Sequence, residues 1–402
     1  HTYIYARFRT LCSSSGSPLT ARPSRHRLPF ETGTASYDLK KQARCIAALE
    51  GDTDRNTFVA ATLVLRGQNE LHVVEFNEDT NEVWCPLVYA LPHEVWGVAC
   101  CPAPEHVQLV LATSSDGAEQ RTSLYRMDRL AEREAAPEAG HRGAPAPAPL
   151  AELLQLGGPC ALGDSVDVLW NPVLPEQVAS LHRGTVRLWS LSHAAAASSA
   201  SESGAAPSPR EEGSFGCGRW DPHHAHALAL ACESDLLTLD TRSMKSAVAV
   251  ADAHEQPVRG LDYNPNKPNT LLSSGDDYHV KVWDLRKPLT PVLSLLAHAH
   301  WVTSATYNRF HDQLLLSCGT DSQVKLWRAA AISSAPPSLD YEEADPSEVE
   351  ADGIVRPYTD HEQSVFGAVW SAADAWIFAS LSLDGKVVVN HVPPSEKYKI
   401  LL

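Results

Sequence analysis

Hydrophobic and polar residues alternate in short runs along most of the chain, and turn residues separate these runs. The clearest stretch contains four alternating runs, Val258–Tyr263, 270–274, 279–285 and 291–296, with Gly275-Asp276-Asp277 between the second and the third. Alternation with a period of two is typical of strands that bury one face. Four runs within about 40 residues predict one four-stranded antiparallel sheet.

A set of polar and aromatic residues repeats in the same register as these runs. The sets are His254, Ser273, Asp277 and Trp283; His298, Ser317, Asp321 and Trp327; and His361, Ser380, Asp384 and Asn390. A period of about 40–45 residues that ends in Trp-Asp, as at Trp283-Asp284, is typical of a propeller blade. The repeat predicts an all-β, seven-bladed WD-repeat β-propeller.

The repeated set has a structural and a catalytic interpretation. Resemblance to WD-repeat blades implies that its members converge within one blade, where Trp donates, Ser donates and accepts, and Asp accepts. Buried groups of this kind must be paired. Ser, His and Asp also form the triads of nucleophilic enzymes, but a triad needs one site and this set occurs three times. We therefore expect a buried structural network, no catalytic residue and no enzyme.

Seven units are predicted, and the seventh lacks a fourth strand. An alternating segment at 42–49 is left over at the other end of the chain, and we expect it to pair with the last blade and close the ring. The predicted propeller spans residues 37–402. Blades three and four lack parts of the polar set, since Arg183 replaces the turn Asp and Leu239 replaces the Trp. These two blades are expected to depend more on apolar packing.

Three segments rich in Ala, Pro, Ser or Glu interrupt the units, and low apolar content predicts that they are disordered. They lie at 131–149, 193–213 and 331–353. The third carries acidic residues from Asp340 to Asp352, which indicates either a solvated loop or a contact with a basic partner.

The first 30 residues contain five arginines and no acidic residue. That composition is typical of an organellar targeting segment, but we favour a fragment or a non-native extension, because nothing downstream indicates organellar chemistry. On either interpretation, residues 1–36 are expected to be disordered and outside the fold.

Charge and composition exclude several classes of function. The formal net charge is −16, whereas nucleic-acid binding and anionic-membrane binding need a basic surface. No apolar run reaches the length of a membrane span, so we expect a soluble chain without membrane insertion. The nine cysteines form no C-x-x-C pair, and His223-His224-Ala225-His226 is interpreted as a turn in preference to a metal site. We expect no metal and no cofactor.

Several stretches resemble one family of WD-repeat proteins, those that interact with the EARP and GARP complexes. They are GRWDPHH at 218–224, DTRSM at 240–244, DYNPNK at 262–267, HWV at 300–302, HDQLLL at 311–316, WIFASL at 376–381 and KYKILL at 397–402. The resemblance covers residues 37–402. It implies a non-enzymatic scaffold that is a monomer within a larger assembly. Such a scaffold would bind tethering complexes at recycling endosomes and the trans-Golgi network, from the cytoplasmic side, and support endosomal recycling and retrograde or dense-core vesicle trafficking.

A second resemblance suggests a different class of function. Trp283-Asp284-Leu285-Arg286 is similar to the box by which substrate receptors of cullin-4 ubiquitin ligases contact their adaptor. On this alternative, Arg286 is the adaptor contact. The simpler interpretation is that Arg286 ends a strand, as in many propellers.

Overall fold

Short sheets, each formed by one repeat unit, surround a central channel in the computed structural model of the protein. The structure describes residues 34–117, 119–133, 144–156, 165–194, 197–209, 213–334 and 352–401. Within these residues the chain forms seven sheets. The predicted all-β, seven-bladed propeller is therefore confirmed. None of the helices in this part of the chain is both long and apolar enough to cross a bilayer.

The strands are numbered along the chain, and each blade runs from an inner strand at the channel to an outer strand at the rim. The first strand, β1 (Ala35–Asp38), belongs to the last blade. Blade one contains β2 (Ala43–Ala48), β3 (Asn56–Thr62), β4 (Asn69–Asn77), β5 (Glu82–Leu91) and the short parallel strand β9 (Ala148–Pro149). Blade two contains β6 (Glu94–Cys100), β7 (Leu109–Ser115), β8 (Gln120–Arg126) and β10 (Ala151–Leu156). Blade three contains β11 (Ser165–Trp170), β12 (Gln177–His182), β13 (Thr185–Ala194) and β14 (Ala197–Pro207).

The second half of the ring follows the same order. Blade four contains β15 (Phe215–Trp220), β16 (Ala227–Cys232), β17 (Asp235–Asp240) and β18 (Lys245–Val250). Blade five contains β19 (Val258–Tyr263), β20 (Thr270–Gly275), β21 (His279–Asp284) and β22 (Leu293–Leu296). Blade six contains β23 (Val302–Tyr307), β24 (Leu314–Gly319), β25 (Val324–Arg328) and β26 (Gly353–Tyr358). Blade seven contains β27 (Val365–Trp370), β28 (Ile377–Ser382), β29 (Lys386–His391) and β1.

In the described part of the chain, helical structure consists of three 3-10 turns and one short helix. Single 3-10 turns cover Pro104–His106, Leu130–Glu132 and Ala330–Ile332, and the helix α1 (Pro394–Leu401) follows the last strand. Both Nε and Nη2 of Arg328 donate to the Glu396 carboxylate over 2.6 Å, which fixes α1 against blade six.

The ring is closed by β1, which pairs antiparallel with β29 and places Ala35 opposite Val389. The predicted closure by an N-terminal strand is seen, but the segment chosen for it was wrong. Residues 42–49 contain β2, the inner strand of blade one, which pairs with β3 and contacts β27 of blade seven. Alternation is the same in an inner and an outer strand, so the pattern alone did not separate the two segments.

Gly385 permits the chain to pass from β1 to β2 across blade seven. Its φ is +86°, and a Cβ atom at this position would lie 2.0 Å from the carbonyl oxygen of Lys41. The Gly385 carbonyl in turn accepts the backbone N–H of Leu39 over 3.0 Å. The predicted boundary after residue 36 is also displaced, because Ala35 and Ser36 are already strand residues.

The segments interpreted as disordered insertions also contain strands. β14 lies inside 193–213, pairs with β13 and supplies the outer strand of blade three, so the interpretation of residues 197–207 as a loop was wrong. β9 lies inside 131–149, and β26 begins at residue 353. Ala- and Ser-rich runs alternate too weakly to reveal an outer strand that main-chain hydrogen bonds hold. Residues 134–143 and 335–351, with the acidic run from Asp340 to Glu350, lie outside the described residues.

Apolar side chains of neighbouring sheets pack face to face and form the core. Between blades five and six, Leu272 and Val282 pack in one cluster with Tyr307 and Trp327. Consecutive strands run in opposite directions, so the turns of every blade fall on two faces. The His-loop face carries His254, His298 and His361. The Asn-turn face, at the other end of the inner strands, carries Asn171, Asn264 and Asn308.

Candidate interaction surfaces and buried polar networks

Blade five brings all four members of its repeated set together. The indole N–H of Trp283 donates to Oγ of Ser273 over 2.9 Å, and Ser273 Oγ lies 2.7 Å from Nε2 of His254. Nδ1 of His254 lies 2.8 Å from Oδ1 of Asp277. An ionised carboxylate only accepts, so His254 Nδ1–H donates to Asp277. With a neutral imidazole, His254 Nε2 then accepts from the Ser273 hydroxyl, whose oxygen accepts the indole N–H of Trp283.

Blade six repeats this network with the same geometry. Trp327 donates to Ser317 over 2.9 Å, Ser317 Oγ lies 2.8 Å from Nε2 of His298, and Nδ1 of His298 lies 2.9 Å from Asp321. Ser317 is buried, as its counterpart in blade five is. A buried hydroxyl that already bonds an indole and an imidazole is not accessible to a substrate, which argues against nucleophilic catalysis at these sites.

Electrostatics favour an ionised Asp277 and a neutral His254. Burial by itself would raise the pKa of Asp277, but bonds from His254 and from the backbone N–H groups of His279 and Glu255 hold that pKa well below its usual range. Burial lowers the pKa of His254, against the opposing effect of Asp277. The network therefore carries one negative charge, which Lys281 Nζ approaches to 3.4 Å.

Blade seven departs from the repeated geometry. His361 Nε2 lies 2.8 Å from Ser380 Oγ, as expected, but Nδ1 lies 2.9 Å from Oγ of Ser382, and it is Ser382 that donates to Asp384. Asn390 donates to Asp360 over 3.3 Å and makes no bond to Ser380 among those described. The sequence repeat included Asp384 but did not reveal the intervening Ser382.

Blade three contains a shorter network that the repeat spacing did not predict. Trp189 donates to Ser180 Oγ over 2.8 Å, and Ser180 lies 3.0 Å from Nε2 of His182, which is on the same strand. The histidine comes from β12 rather than from the loop, so the fixed offset did not find it. Blade four agrees with the expectation of apolar packing, because Leu239 is buried in a cluster with Trp220 and Leu228.

A second repeated constellation fastens neighbouring blades on the Asn-turn face. Oδ1 of Asn264 accepts the backbone N–H groups of Asn266 and Lys267, both over 2.8 Å, and its Nδ2 donates to Asp312 of the next blade over 2.9 Å. Asn171 and Asn308 likewise donate to carbonyl groups of the blade that follows.

The sequence signal for this constellation is an aromatic residue followed by Asn, Asp or Ser at the end of an inner strand. It occurs at Trp170-Asn171, Trp220-Asp221, Tyr263-Asn264, Tyr307-Asn308 and Trp370-Ser371. The Ser371 hydroxyl donates to Asn56 of blade one over 2.7 Å and so continues the links across the closure of the ring.

The histidine cluster takes part in the same links. His224 Nδ1 donates to Asp221 over 2.9 Å, and His223 Nε2 donates to the carbonyl oxygen of Asn264 in the next blade over 2.9 Å. The described residues contain no group of three or more His, Cys, Asp or Glu that is arranged to hold a metal ion. The geometry supports the interpretation of this cluster as a turn.

Every inner strand carries a β-bulge at its His-loop end. The extra residues are Arg44, Trp96, Val166, Gly216, Arg259, Thr303 and Phe366. A bulge turns its extra residue out of the ladder, and most of these side chains line the mouth of the channel. The channel encloses about 420 Å³.

Ion pairs between and within blades line the same channel. Arg219 donates to Asp262 over 2.9 Å, Arg259 forms a two-pronged pair with Asp276 at 2.6–3.0 Å, and Arg309 lies 3.0 Å from Glu50. Asp167 forms no ion pair with a described residue, and burial raises its pKa to about 6. The pairs Arg219–Asp262 and Arg309–Glu50 join different blades, so spacing within one repeat unit did not predict them.

Arg286 lies on the Asn-turn face, where the third strand of blade five ends. Its side chain is 65% exposed and pairs with Asp284 over 2.7 Å. Arg242 and Asp240 form the same local pair in blade four, at 3.2 Å. The Asp-x-Arg arrangement is therefore available to a partner in two adjacent blades.

The architecture, the repeated networks and the Trp-Asp register define a WD-repeat β-propeller. A family model described as EIPR1 beta-propeller matches residues 31–327. EARP and GARP complex-interacting protein 1 of Rattus norvegicus is 35% identical over 390 residues, with 91% of this chain and 98% of the relative covered. The protein of that name from Homo sapiens is 35% identical over 386 residues, with the same coverage. WD repeat-containing protein DWA2 of Arabidopsis thaliana is 32% identical over 363 residues, with 89% and 96% covered. The chain belongs to the EIPR1 β-propeller family, and the family resemblance seen in the sequence is confirmed.

Proposed function

We propose that this protein is a non-enzymatic scaffold that binds the vesicle-tethering complexes EARP and GARP. The observation that carries the proposal is similarity over nine-tenths of the chain to relatives named for interaction with those complexes. On this proposal the protein acts from the cytoplasm at the trans-Golgi network and recycling endosomes. There it supports endosomal recycling and retrograde or dense-core vesicle trafficking, as a monomer within the larger assembly.

Two features of the geometry support a scaffold over an enzyme. The Ser, His and Asp residues that resemble a triad form buried networks within blades. Polar links between blades, such as Asn308 to Ala375 over 2.6 Å, hold the ring in one arrangement. A preorganised surface loses less entropy when a partner binds, which suits a propeller that presents its two loop faces.

Affinity purification of the tagged full chain from cells tests the proposal against the ligase alternative. We expect subunits of the tethering complexes in near-stoichiometric amounts, both from the wild-type protein and from Arg286→Ala. Arg242→Ala is the matched control, because it removes an equally exposed arginine from the neighbouring blade. Recovery of a cullin-4 adaptor without tether subunits, lost specifically in Arg286→Ala, would replace the tether proposal with the ligase role.

A further inference from the structure

Four arginines line the central channel, and one of them differs from the other three. Arg219, Arg259 and Arg309 each pair with a carboxylate. Arg44 forms no ion pair and no side-chain hydrogen bond with any residue in the described part of the chain. Its guanidinium charge therefore lacks the compensation that the other channel arginines receive.

The fold holds this guanidinium in a defined position. Arg44 is the bulge residue of β2, at the His-loop mouth of the channel. Its Cζ lies 4.8 Å from the ring centre of Phe366 in blade seven and 5.4 Å from that of Trp96 in blade two. Both distances are within the range of cation–π attraction, and no described residue accepts a hydrogen bond from the guanidinium N–H donors, which project in its plane. These donors match the two oxygens of a carboxylate.

The surroundings of Arg44 favour a singly charged ligand. Partial burial and the positive charge of Arg259 lower the pKa of Arg44, whose side chain is nevertheless exposed at the mouth, so an anion could reach a guanidinium that no described carboxylate neutralises. A polyanion, by contrast, would meet the carboxylates of Asp167 in the channel and Asp276 at its rim. One guanidinium between two aromatic rings suits one carboxylate with apolar neighbours.

Exposed aromatic residues extend this mouth across blades five and six. Trp301 is 46% exposed and lies two residues before the channel-lining bulge at Thr303. Its ring centre is 5.0 Å from that of His300, which in turn lies 6.1 Å from Tyr278. Tyr278 has a φ of +70°, at a turn position where blade seven has Gly385. This left-handed conformation is costly for a bulky residue. Trp, Tyr and Arg are the residues most enriched at interface hot spots.

We propose that the His-loop mouth binds a peptide segment of a partner protein in which one acidic residue lies between apolar residues. Arg44 takes one carboxylate of the segment through its in-plane donors, and apolar side chains next to that carboxylate pack on Phe366, Trp96 and Trp301. The inference rests on the proposed function for the identity of the partner: a subunit of a tethering complex would carry the segment. It goes beyond that function because it names the chemistry of the bound peptide and the residue, Arg44, that binds its carboxylate.

The test compares two variants in the full chain. Arg44→Gln removes the unpaired charge, and Arg242→Gln removes an exposed arginine on the opposite face as the control. Arg44 has no carboxylate to leave unpaired, and the pair that Arg242 forms with Asp240 is solvent-exposed, so we expect both variants to melt within about 2 °C of the wild type. Arg44→Lys keeps the charge but loses the planar pair of donors, so it serves as a second variant if Arg44→Gln does not fold.

The probe is a phage library of random ten-residue peptides, selected on immobilised wild-type and variant proteins. We expect the wild type and Arg242→Gln to enrich peptides with an acidic residue between apolar residues. Synthetic peptides from that selection should lose about ten- to a hundredfold in affinity against Arg44→Gln, and a similar amount when Glu is replaced by Gln. Absence of acidic enrichment on the wild type, or equal affinity for Arg44→Gln, would overturn the proposal.

A binding assay with the purified tethering complex separates this inference from the proposed function. If Arg44→Gln loses tether binding while the wild type and Arg242→Gln keep it, the result supports both the scaffold function and peptide binding at the mouth. If Arg44→Gln binds the tethering complex as well as the wild type does, the scaffold function is supported, and the proposed role of the His-loop mouth in tether binding is overturned. Tight, saturable binding of inositol hexakisphosphate to the wild type, lost in Arg44→Gln, would assign the mouth to a polyanion and contradict the peptide proposal.

Discussion

The indole N–H of Trp283 donates to the hydroxyl of Ser273 over 2.9 Å, and Trp327 makes the same bond to Ser317 one blade later. In both blades the serine hydroxyl in turn donates a hydrogen bond to Nε2 of a buried histidine, so the donors of each network all run in one direction, from the indole to the carboxylate. The repeat is conserved within the chain in its hydrogen-bond geometry as well as in its spacing.

The network in blade six predicts a stability cost for losing one member. Ser317→Ala leaves both the Trp327 indole and His298 Nε2 without their buried partner, so we expect a loss of roughly 1–3 kcal/mol in the free energy of unfolding. Asp321→Asn should cost a similar amount, because the carboxylate accepts His298 and two backbone N–H groups. Urea denaturation measures both losses. An exposed control, Ser243→Ala, should change little, and an unchanged midpoint for Asp321→Asn would refute the network's role.

The His361 network predicts a pH dependence with a definite sign. Burial and the nearby Lys386 lower the pKa of His361 from its usual 6.5 to about 4 in the folded protein. Between pH 7 and pH 4 the unfolded chain therefore binds a proton that the folded chain does not. The free energy of unfolding therefore decreases as the pH is lowered through this range. At its full size, the contribution of this pKa difference to the free energy of unfolding is on the order of 3 kcal/mol, and it stays constant above about pH 7.5.

Denaturation of His361→Gln at pH 7, 6 and 5 checks this dependence. The variant should be less stable at pH 7, because Ser380 and Ser382 lose their partner, but its stability should fall less between pH 7 and pH 5. Parallel curves for the wild type and His361→Gln would show that this histidine does not supply the pH dependence.

Closure of the ring predicts a sharp boundary for truncation. Removal of residues 1–33 leaves β1 intact, and we expect the wild-type melting temperature. Removal of residues 1–39 deletes β1 and leaves β29 as an unpaired edge, which should lower the melting temperature by several degrees and promote self-association. Differential scanning calorimetry and light scattering on the two truncations measure these effects. Equal melting of the two would mean that β1 contributes nothing to closure.

Gly385 gives a single-residue test of the same closure. Alanine there must adopt a φ of +86° and would place its Cβ 2.0 Å from the Lys41 carbonyl oxygen, so the backbone has to move. We expect Gly385→Ala to cost about 2 kcal/mol or more. Gly353→Ala is the matched control, because nothing lies within 4 Å of a Cβ at that position. Equal thermal stability of the two variants would contradict the described path of the chain between β1 and β2.

Local patterns were sufficient to predict the ring and the complete networks of blades five and six. Their members lie at fixed offsets within one unit, and alternation sets the face on which each side chain lies. Ser382 escaped notice because it takes part in one blade only. The weakly alternating β14 was hidden by its Ala and Ser content, and the four-residue β1 by its length.

The features that concern function were the least predictable from sequence. The pair between Arg309 and Glu50 and the placement of Arg44 between Phe366 and Trp96 join residues from different blades. Their proximity depends on closure of the whole ring, which no local window contains. The Asn-turn links were detectable in principle, because the aromatic-polar dipeptide recurs at the end of most inner strands.

Biolayer interferometry with purified components measures whether this chain binds the tethering complexes directly. The full chain is immobilised, and the reconstituted EARP and GARP complexes are titrated over it at physiological salt. We expect the folded chain to bind saturably with a Kd of about 1 µM or tighter, which corresponds to a binding free energy of roughly −8 kcal/mol. A heat-denatured sample should not bind. Absence of binding at about 10 µM complex, with the chain shown to be folded by circular dichroism, would contradict it.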